Sequence, residues 1–183
     1  MMTPRLAVTL NALGLYGIAL VLVAAFVFQV ALQELPCPLC LLQRVAFAAL
    51  AVGPILNLRF GPRPSHYALS LLAAVLGAVF AMRQVLLHIA PGDPGYGSAV
   101  LGYHYYTWAF ICFAAAIVLI AAILLFDRQF SAPGDAPRLG LFEKAAVWLV
   151  IGVTAANVLA VFAECGPSVC PDNPVSYWIL QGS

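Results

Sequence analysis

The sequence predicts an all-α membrane protein, a bundle of five transmembrane helices joined by short external loops. Three observations predict this class. Of the 183 residues, 64% are hydrophobic and only 8% are charged, against about 25% charged residues in a typical soluble domain. Five stretches come close to the roughly 20 apolar residues that one span needs. The basic residues fall in alternate connecting segments, as they do in proteins that cross a membrane repeatedly.

The five predicted spans leave little chain for a separate soluble domain, so we expect a single integral membrane domain over residues 1–183. The first apolar run is too long for the core of a signal peptide and lacks a small-residue cleavage site, so we interpret it as a retained span. The predicted spans are about 12–32, 41–58, 67–89, 105–126 and 145–163, followed by an external tail at 164–183.

The placement of charges predicts the orientation of the bundle. Under the positive-inside rule, segments rich in Lys and Arg stay in the cytoplasm. The segments predicted to be cytoplasmic contain Arg5, Arg59, Arg63, Arg128, Arg138 and Lys144, and the opposite segments contain Glu34, Asp93, Glu164 and Asp172 without any Lys or Arg. We therefore expect a cytoplasmic amino terminus and an external carboxyl terminus. The net charge of +1 gives no indication of a nucleic-acid partner.

The most informative stretch is the C-x-x-C motif at the outer start of the second span, Pro36-Cys37-Pro38-Leu39-Cys40-Leu41-Leu42-Gln43-Arg44. Two thiols at this spacing can close an exchangeable disulfide. Pro38 suits the first turn of a helix, which makes Cys37 a plausible N-cap. The positive end of the helix dipole favours a thiolate, and Cys40 shares one helix face with Arg44. We expect Cys40 to be the low-pKa sulfur beside this cation.

Two structural interpretations of the motif compete with this one. The disulfide could only staple a loop, or the two cysteines could form half of a zinc site. Zinc would need two further Cys or His ligands nearby, and a staple has no use for an arginine inside a span. Such an arginine indicates a functional site, although Arg44 could instead extend to the external headgroups.

The outer end of the third span carries Arg83, Gln84 and His88. Arg83 lies at a depth close to that of Arg44, roughly 9 Å below the end of its span at 1.5 Å per residue. Two arginines and an amide at one depth predict a pocket for a ligand with polar oxygens. The alternative is that Arg83 and His88 both reach the external headgroups, and for His88 alone we favour this interpretation.

A second cysteine pair follows the fifth span. Cys165 and Cys170 are separated by four residues that include Gly-Pro, which permits a small, exposed and exchangeable disulfide. Within the spans, we assign Gln29 to packing and Asn157 to interhelical hydrogen bonding. No residue is predicted to bind a metal.

The motif around Cys37 and Cys40, with Arg83-Gln84-Val85 and His88, resembles the DsbB family of bacterial inner-membrane thiol:quinone oxidoreductases. The resemblance covers roughly the first four spans. It implies that Cys37 and Cys40 are catalytic. We predict that Cys165 and Cys170 form the second catalytic pair, although the resemblance alone would not place that pair there. The resemblance also implies a quinone, ubiquinone or menaquinone, bound near Arg44, Arg83, Gln84 and His88. The implied partners are a DsbA-like periplasmic thiol oxidase, the membrane quinone pool and the lipid bilayer.

The chain departs from the family pattern in the place of its second cysteine pair. That pair usually lies between the third and fourth spans, where residues 91–102 contain no cysteine. Here an added fifth span carries the pair to the same side of the membrane. Two other functions remain open: a quinone reductase like vitamin K epoxide reductase, and a non-catalytic scaffold or thiol sensor with structural disulfides.

Overall fold

A computed structural model describes residues 3–130 and 138–180. It contains six α-helices and one small β-hairpin in this part of the chain. Five helical segments are long and apolar enough to cross a membrane, with α2 and α3 forming one of them together. The predicted fold class is therefore confirmed. The helices are α1 Pro4–Ala31, α2 Pro38–Leu50, α3 Val52–Phe60, α4 Pro64–Leu87, α5 Tyr105–Leu124 and α6 Leu141–Cys165.

The second span is interrupted at Ala51, between α2 and α3. Pro54 lacks an N–H and therefore cannot bond the carbonyl of Leu50 four residues earlier. Ser70 of α4 donates its hydroxyl to that carbonyl at 2.9 Å. Gly53 permits this approach, since a Cβ there would collide with the Ser70 side chain and the His66 backbone. The freed backbone group is thus satisfied by a neighbouring helix, as an apolar surrounding requires.

Helix α4 packs against α2, α3 and α5, whereas α6 packs mainly along α1. The core between α2, α4 and α5 is built around Phe113, which is fully buried and stacks on Phe47 with the ring centroids 4.0 Å apart. Gly77 of α4 leaves the space that the Phe113 ring occupies. Small residues such as this glycine let neighbouring helices approach closely.

One end of the bundle is held by a buried polar cluster. Asn11 of α1 donates to Tyr67 of α4 at 2.8 Å and accepts from Asn57 of α3 at 2.9 Å. Tyr67 in turn donates at 3.0 Å to Gln129, which belongs to a short 3₁₀ helix, Asp127–Phe130. This cluster fixes the end of the bundle opposite the C-x-x-C motif.

A β-hairpin covers the other end of the bundle. Strand β1, Ala99–Val100, pairs antiparallel with β2, Tyr103–His104, through a turn at Leu101 and Gly102. Both turn residues have positive φ, 52° and 83°, as the tight turns of hairpins require. The sequence predicts a connecting segment here but no hairpin. The segment is tied to the chain before α2, because the Tyr96 hydroxyl donates to the Leu35 carbonyl at 2.6 Å.

Candidate functional site

Cys37 is the N-cap of α2, as the sequence predicts. Its Sγ accepts the backbone N–H of Cys40 at 3.2 Å, and Pro38 occupies the first helical position. Cys37 and Cys40 are not joined by a disulfide in the structure. Cys37 is buried and Cys40 is half-buried. The start of α2 therefore places both sulfurs on a fixed helix terminus.

Gln84 of α4 lies directly against the two sulfurs. Its Nε2 donates to Cys37 Sγ at 3.2 Å and to Cys40 Sγ at 3.5 Å. Its Oε1 accepts from Gln43 Nε2 at 2.8 Å, which fixes the orientation of the amide. Gln84 thus contacts the dithiol itself, whereas the sequence assigned it to a ligand pocket.

The sequence predicts Cys40 as the low-pKa thiol, but in the structure the surroundings of Cys37 activate that cysteine. The pKa of the Cys37 thiol is lowered to about 7, first by a hydrogen bond from the Cys40 side chain, with help from the Cys40 backbone N–H and Gln84. Donors that point at a sulfur favour its charged form. Cys37 is therefore activated first by the neighbouring Cys40 thiol, and the free N–H of the helix terminus adds to this effect.

Arg44 is held inside the bundle by three neighbours rather than extended to the headgroups. Its Nη1 donates to Gln29 Oε1 at 2.7 Å and to Asn157 Oδ1 at 3.2 Å, and its Nη2 donates to the Ala25 carbonyl at 3.0 Å. These partners come from α1 and α6. The sequence predicts the bonding role of Asn157 but treats Gln29 as packing, because nothing local indicates that α1 and α6 meet at Arg44.

Cys40 and Arg44 border one cavity of about 270 Å³ between α1, α2, α5 and the hairpin segment. Gln29 also lines it, so the arginine network forms part of its wall. The rest of the wall is mostly apolar and aromatic. The aromatic lining residues are Phe28, Phe47, Tyr96, Tyr105, Tyr106 and Trp108. The arrangement can receive a flat apolar molecule with a polar oxygen directed at Arg44.

The structure does not bring Arg83 and His88 into this cavity. Arg83 is exposed and lines a separate, shallow groove on the outer face of α4 and α5. His88 Nδ1 lies 3.0 Å from Asp93 Oδ1 in the following segment, and its ring stacks on Tyr106. The two arginines predicted to share a pocket therefore face different surfaces, because Gln84, rather than the adjacent Arg83, points toward α2.

Cys165 and Cys170 form a disulfide at the end of α6, as the sequence predicts. Cys165 is buried, with 4% of its surface exposed, and Cys170 is half-buried. Beside them Glu164 is buried, and its Oε2 lies 3.5 Å from Gln29 Nε2. The same Gln29 nitrogen lies 3.3 Å from the hydroxyl of Tyr177 in the tail. The network of Arg44 thus reaches the residue next to the tail disulfide.

A helical bundle able to cross a membrane, with a C-x-x-C dithiol beside an apolar cavity, defines the class as a membrane thiol protein. The family model described as "Disulfide bond formation protein DsbB" matches residues 7–98. The chain belongs to the DsbB family. The match includes the C-x-x-C motif, Arg44 and Gln84, and it ends before α5.

Named relatives agree with this assignment. A disulfide bond formation protein B of Xanthomonas axonopodis pv. citri is 42% identical over 86 residues, which are 44% of this chain and 50% of the relative. Disulfide bond formation protein B 2 of Burkholderia lata is 38% identical over 85 residues, 46% of this chain and 50% of the relative. The chain thus spans about half the length of the curated relatives it matches. No solved structure gives a significant match.

Proposed function

We propose that this chain is a disulfide-generating thiol:quinone oxidoreductase. In this proposal an external protein dithiol reduces Cys165–Cys170, the tail pair reduces Cys37–Cys40, and the electrons leave to a membrane quinone. The observation that supports it best is that Cys40 and Arg44 line the same, mostly apolar cavity. That cavity lies at the end of the bundle where the tail disulfide is found.

The residues of the cavity fit a quinone head group. Its aromatic walls suit a flat ring, and Arg44 offers a permanent cation and hydrogen-bond donor to a ring oxygen. Gln29 lies on the same wall and holds the guanidinium in place. When bound, a quinone, ubiquinone or menaquinone, supplies an acceptor for two electrons and two protons. The chain would supply the binding surface and the adjacent sulfur of Cys40.

The order in which the cysteines pass electrons can be assigned from the chemistry of thiol exchange and from their exposure. Thiol exchange proceeds by attack of a thiolate on a disulfide sulfur through a mixed disulfide. Cys170 is the more exposed member of the tail pair and the more accessible to a soluble partner, whereas the buried Cys165 is the member that faces into the bundle. We assign Cys37 as the sulfur that meets the tail pair and Cys40 as the sulfur that faces the quinone.

The family and the charge distribution together support a location and a partner. The family is one of bacterial inner-membrane proteins, and the basic residues predict a cytoplasmic amino terminus, so both cysteine pairs would face the periplasm. A DsbA-like thiol oxidase is the partner that such a site would reoxidise. The names of the relatives, disulfide bond formation proteins, support this class of reaction.

The experiment is quinone reduction by the purified, detergent-solubilised protein, driven either by dithiothreitol or by reduced DsbA. Cys37→Ser and Cys40→Ser should abolish both reactions. Cys165→Ser and Cys170→Ser should abolish only the reaction driven by DsbA, because dithiothreitol can reach Cys37–Cys40 without the tail. A protein that reduces no quinone with either thiol would instead be a scaffold or thiol sensor.

A further inference from the structure

Glu164 is a buried acid for which the reaction above assigns no role. Only 3% of its surface is exposed, and its Oε1 has no hydrogen-bond partner among the described residues. Its Oε2 makes one long contact, 3.5 Å to Gln29 Nε2. Burying a carboxylate oxygen without a hydrogen-bond partner costs free energy, so this oxygen calls for an explanation. Glu164 lies outside the part of the chain that the family model matches.

The position of Glu164 connects the two cysteine pairs. It immediately precedes Cys165 at the end of α6. Its carboxylate also lies within electrostatic range of Arg44 and of the Cys37 sulfur on α2. The other titratable groups that face it are Tyr177 of the tail, through Gln29, and Tyr96 of the hairpin segment. Among the groups around Glu164, Gln29 of α1 is uncharged.

We propose that Glu164 is the proton acceptor and donor for thiol transfer between the tail pair and the Cys37–Cys40 pair. This inference rests on the proposed function. A positioned base is effective when it lies beside the proton that it removes. Glu164 is adjacent to Cys165 in the chain and lies within electrostatic range of the Cys37 sulfur that Cys165 must attack. Arg44 supplies a cation within electrostatic range of this buried carboxylate.

The transfer begins with a reduced tail and an oxidised Cys37–Cys40 pair. The Cys165 thiol gives its proton to Glu164, and its sulfur attacks Cys37. A Cys165–Cys37 bond forms, the Cys37–Cys40 bond breaks, and Cys40 leaves as a thiolate. Cys170 then loses its proton to water and attacks Cys165. Cys37 leaves as a thiolate, and Glu164 returns its proton to the reduced Cys37–Cys40 pair. Two electrons and one proton have then moved from the tail to the Cys37–Cys40 pair.

The experiment is a single turnover without quinone, so that it reports thiol transfer alone. Oxidised, quinone-free protein is mixed with one equivalent of reduced DsbA, quenched with acid and alkylated. Mass spectrometry of the peptides then follows thiols at the tail and at Cys37 and Cys40. Glu164→Gln keeps the shape and the contact to Gln29 but cannot accept a proton. Glu143→Gln, at the opposite end of the same helix, is the matched control.

In the unmodified protein, tail thiols should appear and then pass to Cys37 and Cys40. In Glu164→Gln they should appear at the normal rate but persist, with the second step slowed at least tenfold, since a positioned base contributes about 10²–10⁴-fold. The deficit should shrink as pH rises toward the range in which thiols ionise in water. Glu143→Gln should behave like the unmodified protein.

Three results would overturn the role of Glu164. One is a normal second step in Glu164→Gln. Another is a deficit of equal size at every pH, which would indicate a structural role. The third uses no variant: a transfer rate in the unmodified protein that rises with pH without a plateau below the ionisation of free thiols. If DsbA reduces neither cysteine pair of the unmodified protein, the proposed function itself fails, and this result is distinct from the other three.

Discussion

At the scale of single residues, Cys37 and Cys40 acquire different chemistry from their places on one helix terminus. Cys37 precedes the helix, so its sulfur receives an N–H that has no partner within the helix. Cys40 is already helical, and it lines the cavity that Arg44 also borders. One sulfur is therefore stabilised as an anion, while the other is positioned against the apolar site.

The first prediction concerns the reactivity of Cys37. Its pKa is lowered from 9.0 to about 7, so more of it is thiolate at neutral pH and its alkylation should be half-maximal near pH 7. Gln84→Leu removes one donor and should shift this midpoint upward. The measurement is the rate of iodoacetamide labelling of Cys37 in the reduced protein against pH, by peptide mass spectrometry. A midpoint near pH 9 in the unmodified protein would contradict the lowered pKa of Cys37.

The second prediction concerns Arg44. Arg44→Ala should raise the apparent KM for quinone at least tenfold, because the cavity loses its cation and the oxygens of Gln29 and Asn157 lose their donor. Reduction of Cys37–Cys40 by dithiothreitol should change little. The measurement is quinone reduction at varied quinone concentration, with Arg59→Ala at the opposite end of the bundle as control.

The variant Arg83→Ala tests whether the quinone pocket contains both arginines, as the sequence predicts, or Arg44 alone, as in the structure. The sequence places both arginines around one ligand, so it expects both variants to lose quinone affinity. The structure places Arg83 on a different groove, so it expects the loss for Arg44 alone. An unchanged KM in Arg44→Ala would place the quinone elsewhere and return attention to Arg83.

The residues of the site could be predicted to the extent that their roles are local. Cys37 as N-cap follows from Pro38, and Cys40 beside Arg44 follows from their i, i+4 spacing. The contacts of Gln29, Gln84 and Glu164 depend on how α1, α4 and α6 rotate about their axes. Long spans that are apolar all round carry no periodic pattern that fixes this rotation.

At the scale of elements, the break between α2 and α3 shows how a proline is accommodated inside a span. Pro54 leaves the Leu50 carbonyl without its helical donor, and Ser70 replaces that donor from α4. The sequence predicts the span but treats it as one continuous helix. The hydrogen bond from Ser70 to the Leu50 carbonyl depends on how the two helices pack, so the position of Pro54 alone does not predict it.

The third prediction tests this replacement. Ser70→Ala should lower the free energy of unfolding by about 1–3 kcal/mol, since it leaves a buried carbonyl unpaired. In a Pro54→Ala background the alanine N–H can bond Leu50, and the cost of Ser70→Ala should become smaller. The measurement is a double-mutant cycle by unfolding in mixed micelles, with the exposed Ser65→Ala as control. Equal costs in both backgrounds would show that the hydroxyl does not replace the proline's missing donor.

The hairpin over the cavity lies beyond what the sequence shows. Its turn places Leu101 at positive φ, which residues other than glycine and asparagine rarely adopt. The usual Asn-Gly or Asp-Gly signal of a hairpin is therefore missing. The pairing is supported from outside the turn instead, by Trp108 Nε1, which donates to the Val100 carbonyl at 2.9 Å.

At the scale of the whole molecule, the matched family region and the remainder of the chain meet at one network. Residues 7–98 contain the C-x-x-C motif, Arg44 and Gln84. Helix α6, outside that match, adds Asn157 to Arg44 and carries the tail disulfide to the same end of the bundle. An odd number of spans is what allows a carboxyl-terminal pair to lie on the side of the C-x-x-C motif.

The last prediction is the topology that this arrangement requires. The contacts of Tyr96 with Leu35 and of Tyr177 with Gln29 place the hairpin segment, the C-x-x-C motif and the tail at one end of the bundle. The basic segments lie at the other end, so the amino terminus should be cytoplasmic and the carboxyl terminus periplasmic. Alkaline phosphatase, which is active only outside the cytoplasm, should be active when fused to the carboxyl terminus and inactive when fused after Gly61. The reverse pattern would place both cysteine pairs in the reducing cytoplasm, where structural and exchangeable disulfides rarely persist, and the proposed reaction would have no external dithiol to oxidise.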